Sequence, residues 1–267
     1  METSCRVSCR RANSAGEQAF VEREGPLHLI ADWVEPVFLH YRIDPVLLQT
    51  KVPYELDLFA GQAWVSLVAF TMKDMRLAMG GRLSCWLFAP FREQRFLSVR
   101  TYVKHDREFG IHFIAEWISD WISSQLGPEL YGLPYRQGQL DYLRRGDAVD
   151  GVVLHGDGRF LFRGWAKGAR GVCEEDLEVF LLERYVAFNA AKGKRRYFRV
   201  WHEPWMRQQA TVETMDDSLL RKNFSWWPNT EFDSAHMSDG TFDVRMSRPK
   251  PAPPIPPPMR PTGVSGP

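Results

Sequence analysis

Leu126-Gly127-Pro128-Glu129-Leu130-Tyr131-Gly132-Leu133-Pro134-Tyr135-Arg136 holds two glycines and two prolines within eleven residues. Residues 119–131 predict a helix interrupted near Gly127-Pro128, because proline disfavours the helical conformation in the residue before it. A proline turn then delivers Tyr135 and Arg136 to the next element. Upstream, residues 111–117 alternate Ile111, Phe113, Ala115 and Trp117, which predicts a strand. Residues 96–104 alternate as well. Leu97, Val99, Thr101 and Val103 share one face, and Phe96, Ser98, Arg100 and Tyr102 the other.

Further out, residues 63–72 are rich in Val, Phe and Trp and predict a buried strand. Residues 27–33 and 36–42 are two short apolar runs. Asp44-Pro45 reads as an N-cap and first helical position, opening a short helix through Gln49. Downstream, strands are expected at 139–145, 151–155, 159–165, 196–202, 208–215 and 241–246. Residues 174–189 give the clearest helical period, with Leu177, Phe180, Leu181, Arg184, Tyr185 and Phe188 on one face and acids in the first turn. Many strands with two interspersed helices predict an α+β fold with a largely antiparallel sheet.

The 267 residues are 44% hydrophobic and 13% aromatic, ample for a packed core. A net charge of +1 gives no electrostatic case for nucleic acid or an anionic membrane. The chain has no uninterrupted apolar run of about 18 residues, so no membrane span is expected. The cysteines, Cys5, Cys9, Cys85 and Cys173, are irregularly spaced and lack the partners of a zinc site. Free thiols fit a reducing cytoplasm. Residues 1–25 are polar and aperiodic and are expected to form a flexible leader. The proline-rich segment 249–267 is expected to be a disordered tail. A single domain over 26–248 remains.

Several phrases resemble the YqjF-like family, a bacterial family of unknown function related in fold to acetoacetate decarboxylase. They include Val99-Arg100-Thr101-Tyr102-Val103, Gly110-Ile111-His112-Phe113, Gly132-Leu133-Pro134-Tyr135, Phe180-Leu181-Leu182-Glu183-Arg184-Tyr185 and Val200-Trp201-His202-Glu203-Pro204-Trp205. Ala235-His236-Met237-Ser238 and the stretch closing at Arg248-Pro249 also fit, and the set spans about 33–249 in order. The Gly-x-Pro turn resembles the active-site turn of acetoacetate decarboxylase. The resemblance implies a cone-shaped, largely antiparallel β-barrel with a few flanking helices. In that enzyme two lysines follow the turn. One forms a Schiff base with a β-keto acid, and the other lowers its pKa.

Here Tyr135 and Arg136 occupy those places. A guanidinium stays protonated and is a poor nucleophile, so Schiff-base decarboxylation is not expected. YqjF-like sequences usually carry an acid and an Asn just before the Val-Arg-Thr-Tyr phrase, where this chain has Phe96 and Ser98. A general base from that position is therefore not expected. Glu93 lies at an odd offset and would face the opposite side of an unbroken strand.

The candidate ligand-binding residues are Arg100, Tyr102, Ser98, Tyr135, Arg136 and His202. Arg100 can hold a carboxylate bidentately, with Tyr102 donating a hydrogen bond. Alternatively Arg100 makes a structural ion pair, or this face is simply solvated. Tyr135 lines a pocket or is a core tyrosine. His202 is a base tuned near neutrality or a structural histidine at a strand end. Glu183 and Arg184 are expected to face solvent or make local pairs. His112 and Glu116, four apart on a strand, would lie about 13 Å apart, too far for one metal ion.

No cofactor and no metal are expected. The expected partner is a small molecule carrying a carboxylate or carbonyl, with turnover left open. The alternatives are an enzyme doing non-covalent acid–base chemistry on a keto acid or enol, and a regulatory protein that uses its proline-rich tail.

Overall fold

The computed structural model describes residues 15–26, 28–79, 93–191 and 194–252. Residues 1–14, Cys85 and the tail beyond Ala252 lie outside the described residues. The segment read as a leader is helical from Ala15, as α1 (Ala15–Glu24), which buries Phe20. Its Glu24 pairs with Arg199 at 3.2 Å and with Lys250 at 2.6 Å. Among the described residues no helix is long and apolar enough to cross a membrane.

The centre of the fold is a long strand, β1 (Leu29–Ile43), where the sequence suggested two. Glu35 has φ 52° and Pro36 follows, so the strand bends without ending. The bend gives its two halves different partners. Leu29 to Val34 pair with β14 (Gly240–Met246), and Val37 to Arg42 pair with β13 (Glu231–Ser238). Along its other edge β1 pairs with β3 (Ala63–Leu77). The sheet continues through β4 (Glu93–His105), which also pairs with the short β2 (Glu55–Leu56), and β5 (Glu108–Ile118) to β10 (Val186–Ala191) and β11 (Lys194–Trp201). β11 pairs with β14, and β14 with β1, so seven strands close into the expected cone-shaped, largely antiparallel barrel. The parallel seam between β5 and β10 rests on the pair Ile111–Ala187.

A second sheet leaves the barrel at β13. It runs through β12 (Arg207–Asp216), β9 (Gly158–Gly171), β8 (Ala148–His155) and β7 (Gln139–Arg145). It curls back so that Tyr142 donates to the Phe96 carbonyl at 2.8 Å. β1, β3 and β4 are thus a wall with both faces buried. Val37, Leu39, Val65, Leu67, Leu97 and Val99 point into the core beneath the second sheet. That core is completed by Phe160 and Phe162 of β9 and by Leu219 and Leu220 of α5 (Ser218–Asn223). The intervening residues, such as Phe38, Trp64, Val68 and Tyr102, point into the barrel. The face of residues 96–102 that could have been solvated is therefore interior.

The helix expected over 174–189 is shorter. α4 (Asp176–Leu182) ends at Glu183, and Val186 begins β10. A strand is required there to close the barrel. Val186, Ala187 and Phe188 are buried between β5 and β11, with Ala187 facing the barrel and Phe188 the other core. α2 (Pro45–Gln49) forms as expected, with the Asp44 carboxylate accepting from the Val46 amide at 2.7 Å.

Candidate functional site

The barrel interior contains a cavity of about 230 Å³. Most of its wall is apolar or aromatic. The polar groups come mainly from two adjacent strands and one turn.

On β4, Phe96, Ser98 and Arg100 face the cavity in alternation. On β5, strict alternation would put Glu116 on the side away from Ile111 and Phe113. The register against β4 slips at Ile114, however, because Val99 pairs with Ala115 while Arg100 pairs with Phe113. This bulge reverses the parity of the strand. Ala115 and Trp117 then face the core beneath the second sheet, and Glu116 joins Ile111 and Phe113 at the cavity.

The proline turn acts on the same point. α3 (Trp121–Leu130) keeps Pro128 inside the helix. The Pro134 carbonyl accepts from the Glu116 amide at 3.2 Å. The short strand β6 (Tyr135–Gln137) then runs parallel to β5, with Tyr135 opposite Glu116 and Arg136 opposite Trp117. Tyr135 enters the cavity wall and Arg136 does not. Arg136 lies over the Trp117 ring, 5.4 Å from its centroid, and donates to Asn223. Gly127 makes room for Tyr135, since a Cβ at that position would strike the tyrosine ring.

Glu116 is buried, and Ser98 Oγ donates to its Oε1. Its other oxygen has no hydrogen-bond partner among the described residues. Burial pushes its pKa up to about 7, against the opposing effects of the Ser98 hydrogen bond and the Arg100 charge. Burial, then the neighbouring Glu116, raises the Tyr135 phenol well above its ordinary range.

Arg100 donates from Nη2 to the Leu181 carbonyl at 3.2 Å and lies 5.8 Å from the Phe38 ring centroid. Its Nε is buried without a partner. Among the described residues no carboxylate lies within 4 Å of it, so the guanidinium faces an apolar cavity without a counterion. Such a charge is costly unless an anion joins it.

Tyr102 stands one layer behind the cavity. Its hydroxyl donates to the Leu181 carbonyl at 2.8 Å and meets Ser66 Oγ at 2.6 Å. It therefore helps fix the carbonyl that Arg100 also uses. His202 lines the cavity, with Nδ1 2.7 Å from the Glu203 carbonyl. Burial holds its pKa down, so the ring is neutral, and that contact places the proton on Nδ1 and leaves Nε2 as an acceptor. His112 points away and meets the Phe188 carbonyl at 2.8 Å.

Glu183 and Arg184, expected to face solvent or make local pairs, are largely enclosed and pair locally, Glu183 accepting from the Tyr185 hydroxyl and Arg184 donating to the Phe180 carbonyl. Glu183 accepts from the Trp205 amide at 2.9 Å, and Arg184 pairs with Asp57 at 2.9 Å over the Phe180 ring.

Sequence reasoning singled out five residues that gather at or just behind this cavity: Ser98, Arg100, Tyr102, Tyr135 and His202. It missed Glu116. The available signal was an acid set among the apolar residues 113–118, a position that few carboxylates occupy without a reason. No lysine is present among the described residues lining the cavity.

The DUF2071 family model, described as an uncharacterized conserved protein, matches residues 30–241. The uncharacterized protein YqjF of Bacillus subtilis (strain 168) is 29% identical over 192 residues, 68% of this chain and 75% of that protein. Among solved structures, acetoacetate decarboxylase from Legionella pneumophila superposes with a TM-score of 0.60 at 13% identity, covering 92% of this chain and 98% of that one. An acetoacetate decarboxylase-like enzyme from Sphingomonas wittichii RW1 gives 0.57 at 14% identity, over 84% and 94%. The enduracididine biosynthesis enzyme MppR complexed with pyruvate gives 0.58 at 13% identity, over 85% and 90%. At these identities the structural similarity concerns the fold alone.

Proposed function

The chain belongs to the DUF2071 family of uncharacterized conserved proteins, and from that premise we propose that its cavity binds a small molecule carrying a carboxylate or carbonyl and exchanges a proton with it through Glu116. The observation carrying this reading is the pairing of an uncompensated Arg100 with a buried carboxyl whose pKa is pushed up to about 7, in one largely apolar cavity. Perturbed groups of this kind concentrate where chemistry is done. MppR, a protein of similar fold, holds pyruvate in its solved complex, which supports a keto acid as the kind of ligand considered.

Arg100 takes the ligand carboxylate and thereby gains its missing counterion. The free oxygen of ionised Glu116 accepts a proton from the carbon beside the ligand carbonyl. The C–H bonding pair moves into the enolate, whose oxygen is met by the Tyr135 hydroxyl. Protonated Glu116 then returns the proton. No amine nucleophile is needed, and none faces the cavity among the described residues.

The test is exchange of the α-hydrogens of pyruvate and of 2-oxobutyrate in deuterated water, followed by NMR. The wild-type chain should accelerate exchange. Glu116→Gln should lower the rate by roughly 10²-fold or more while leaving binding in place, and Arg100→Ala should weaken binding. Exchange no faster than in buffer, or indifferent to Glu116→Gln, would sink the proposal. Borohydride treatment with acetoacetate should leave no lysine adduct.

A further inference from the structure

Beyond a head group for a carboxylate, the cavity has an aromatic lining that forms a continuous arc. Tyr135 contacts Phe96 with ring centroids 6.0 Å apart. Phe96 stacks on Phe70 at 4.9 Å, with planes only 10° apart. Phe70 meets Trp33 at 5.6 Å, and Trp33 stacks on Trp205 at 6.3 Å. Trp205 meets Phe38 edge-on at 5.3 Å, and Phe38 carries the Arg100 guanidinium. The arc therefore begins beside Glu116 and ends at Arg100. All six rings line the cavity.

From this arrangement we infer that the ligand is an aryl-bearing carboxylate, with its ring against the aromatic arc and its carboxylate on Arg100. The inference rests on the carboxylate-binding reading above and adds the identity of the ligand's body. Size supports it. A dry cavity of about 150 Å³ accommodates benzene, and the 230 Å³ here leaves room for a short acid side chain as well. A keto acid as small as pyruvate would leave much of the wall without contacts, forfeiting the dispersion attraction that a close-fitting ring recovers. The geometry also suits a ring physically, because aromatic pairs favour offset-stacked and edge-on contacts and the arc offers both.

Matched ligands sharing one head group provide the test: pyruvate, 4-methyl-2-oxopentanoate and phenylpyruvate, with 3-phenylpropanol as the uncharged control. Dissociation constants are read by calorimetry and by quenching of tryptophan fluorescence, since Trp33 and Trp205 line the site. Phenylpyruvate should bind roughly tenfold or more tightly than pyruvate. Phe70→Leu, which keeps an apolar side chain and should preserve the fold, should narrow that ratio. Arg100→Ala should weaken all three acids and leave 3-phenylpropanol unchanged.

If pyruvate binds in an Arg100-dependent way and phenylpyruvate binds no tighter, the aryl inference fails and the carboxylate reading stands. Conversely, 3-phenylpropanol binding as tightly as phenylpyruvate, with neither sensitive to Arg100→Ala, defeats the carboxylate reading. Failure of all four ligands to bind overturns both.

Discussion

The carboxyl of Glu116 stays protonated in the folded chain up to about pH 7, whereas its ordinary value is 4.5. A raised folded value means that its contribution to stability is present below pH 4.5 and is lost as pH rises through 7. Glu116→Gln should therefore stabilise the protein at pH 8, by on the order of 2 to 3 kcal/mol, and change it little at pH 4. Urea melts at the two pH values check this. Equal effects at both would show that the carboxyl is not held neutral by burial. Exchange activity should follow the opposite trend, rising through pH 7 as the carboxylate forms. Arg100→Met removes the charge that draws Glu116 down, so the Glu116 titration, read by carbon NMR, should move upward. These predictions place the least stable choice of residue at the point where proton transfer is proposed.

At the scale of the element, β5 decides the site. Its bulge at Ile114 turns Glu116 inward, and Gly110, near its start, permits the seam to β10. A Cβ on Gly110 would strike the Val186 carbonyl and crowd the Phe188 ring. Because neither backbone nor ring can yield freely, Gly110→Ala should cost about 1 to 3 kcal/mol, measured as a lower urea midpoint with an unchanged slope.

β5 also shows which features the sequence made legible. Its strand character was plain from Ile111, Phe113, Ala115 and Trp117, and the boundaries of β7 and α2 could be read directly. The inward aim of Glu116 could not be read, because a bulge is fixed by pairing with β4 and leaves no local mark. α4 and β10 were merged for a related reason. Leu177, Phe180, Leu181 and Arg184 carry a true helical period, and Tyr185 and Phe188 continue it by coincidence. The decision that Val186 starts a strand belongs to β5 and β11, its distant partners. Arg136 followed Tyr135 as a candidate, yet consecutive residues of a strand face opposite ways, so only one could enter the cavity.

Across the whole molecule, five of the seven histidines, His28, His40, His112, His202 and His236, have pKa values lowered chiefly by burial. Each is stored neutral. A depressed folded value gives stability that is complete above the ordinary value of 6.5 and lost as pH falls through the folded value, which for His112 is about 4. The melting temperature should therefore fall steeply from pH 6.5 towards 4, and His112→Asn should flatten the decline. Thermal melts across that range test it, and a flat profile would rule out this cause.

The wall of β1, β3 and β4 bears on how the chain can be altered. Its odd-numbered side chains on β3 and β4 hold the second sheet in place, and their even-numbered neighbours shape the cavity. Substitution can tune the two sets separately, so a library restricted to positions 68, 70, 96 and 98 explores ligand choice on a scaffold left intact. Insertion or deletion of a single residue in the wall has no such latitude. Like a frameshift, it would exchange the two alphabets at once, sending the lining into the core and the core into the lining.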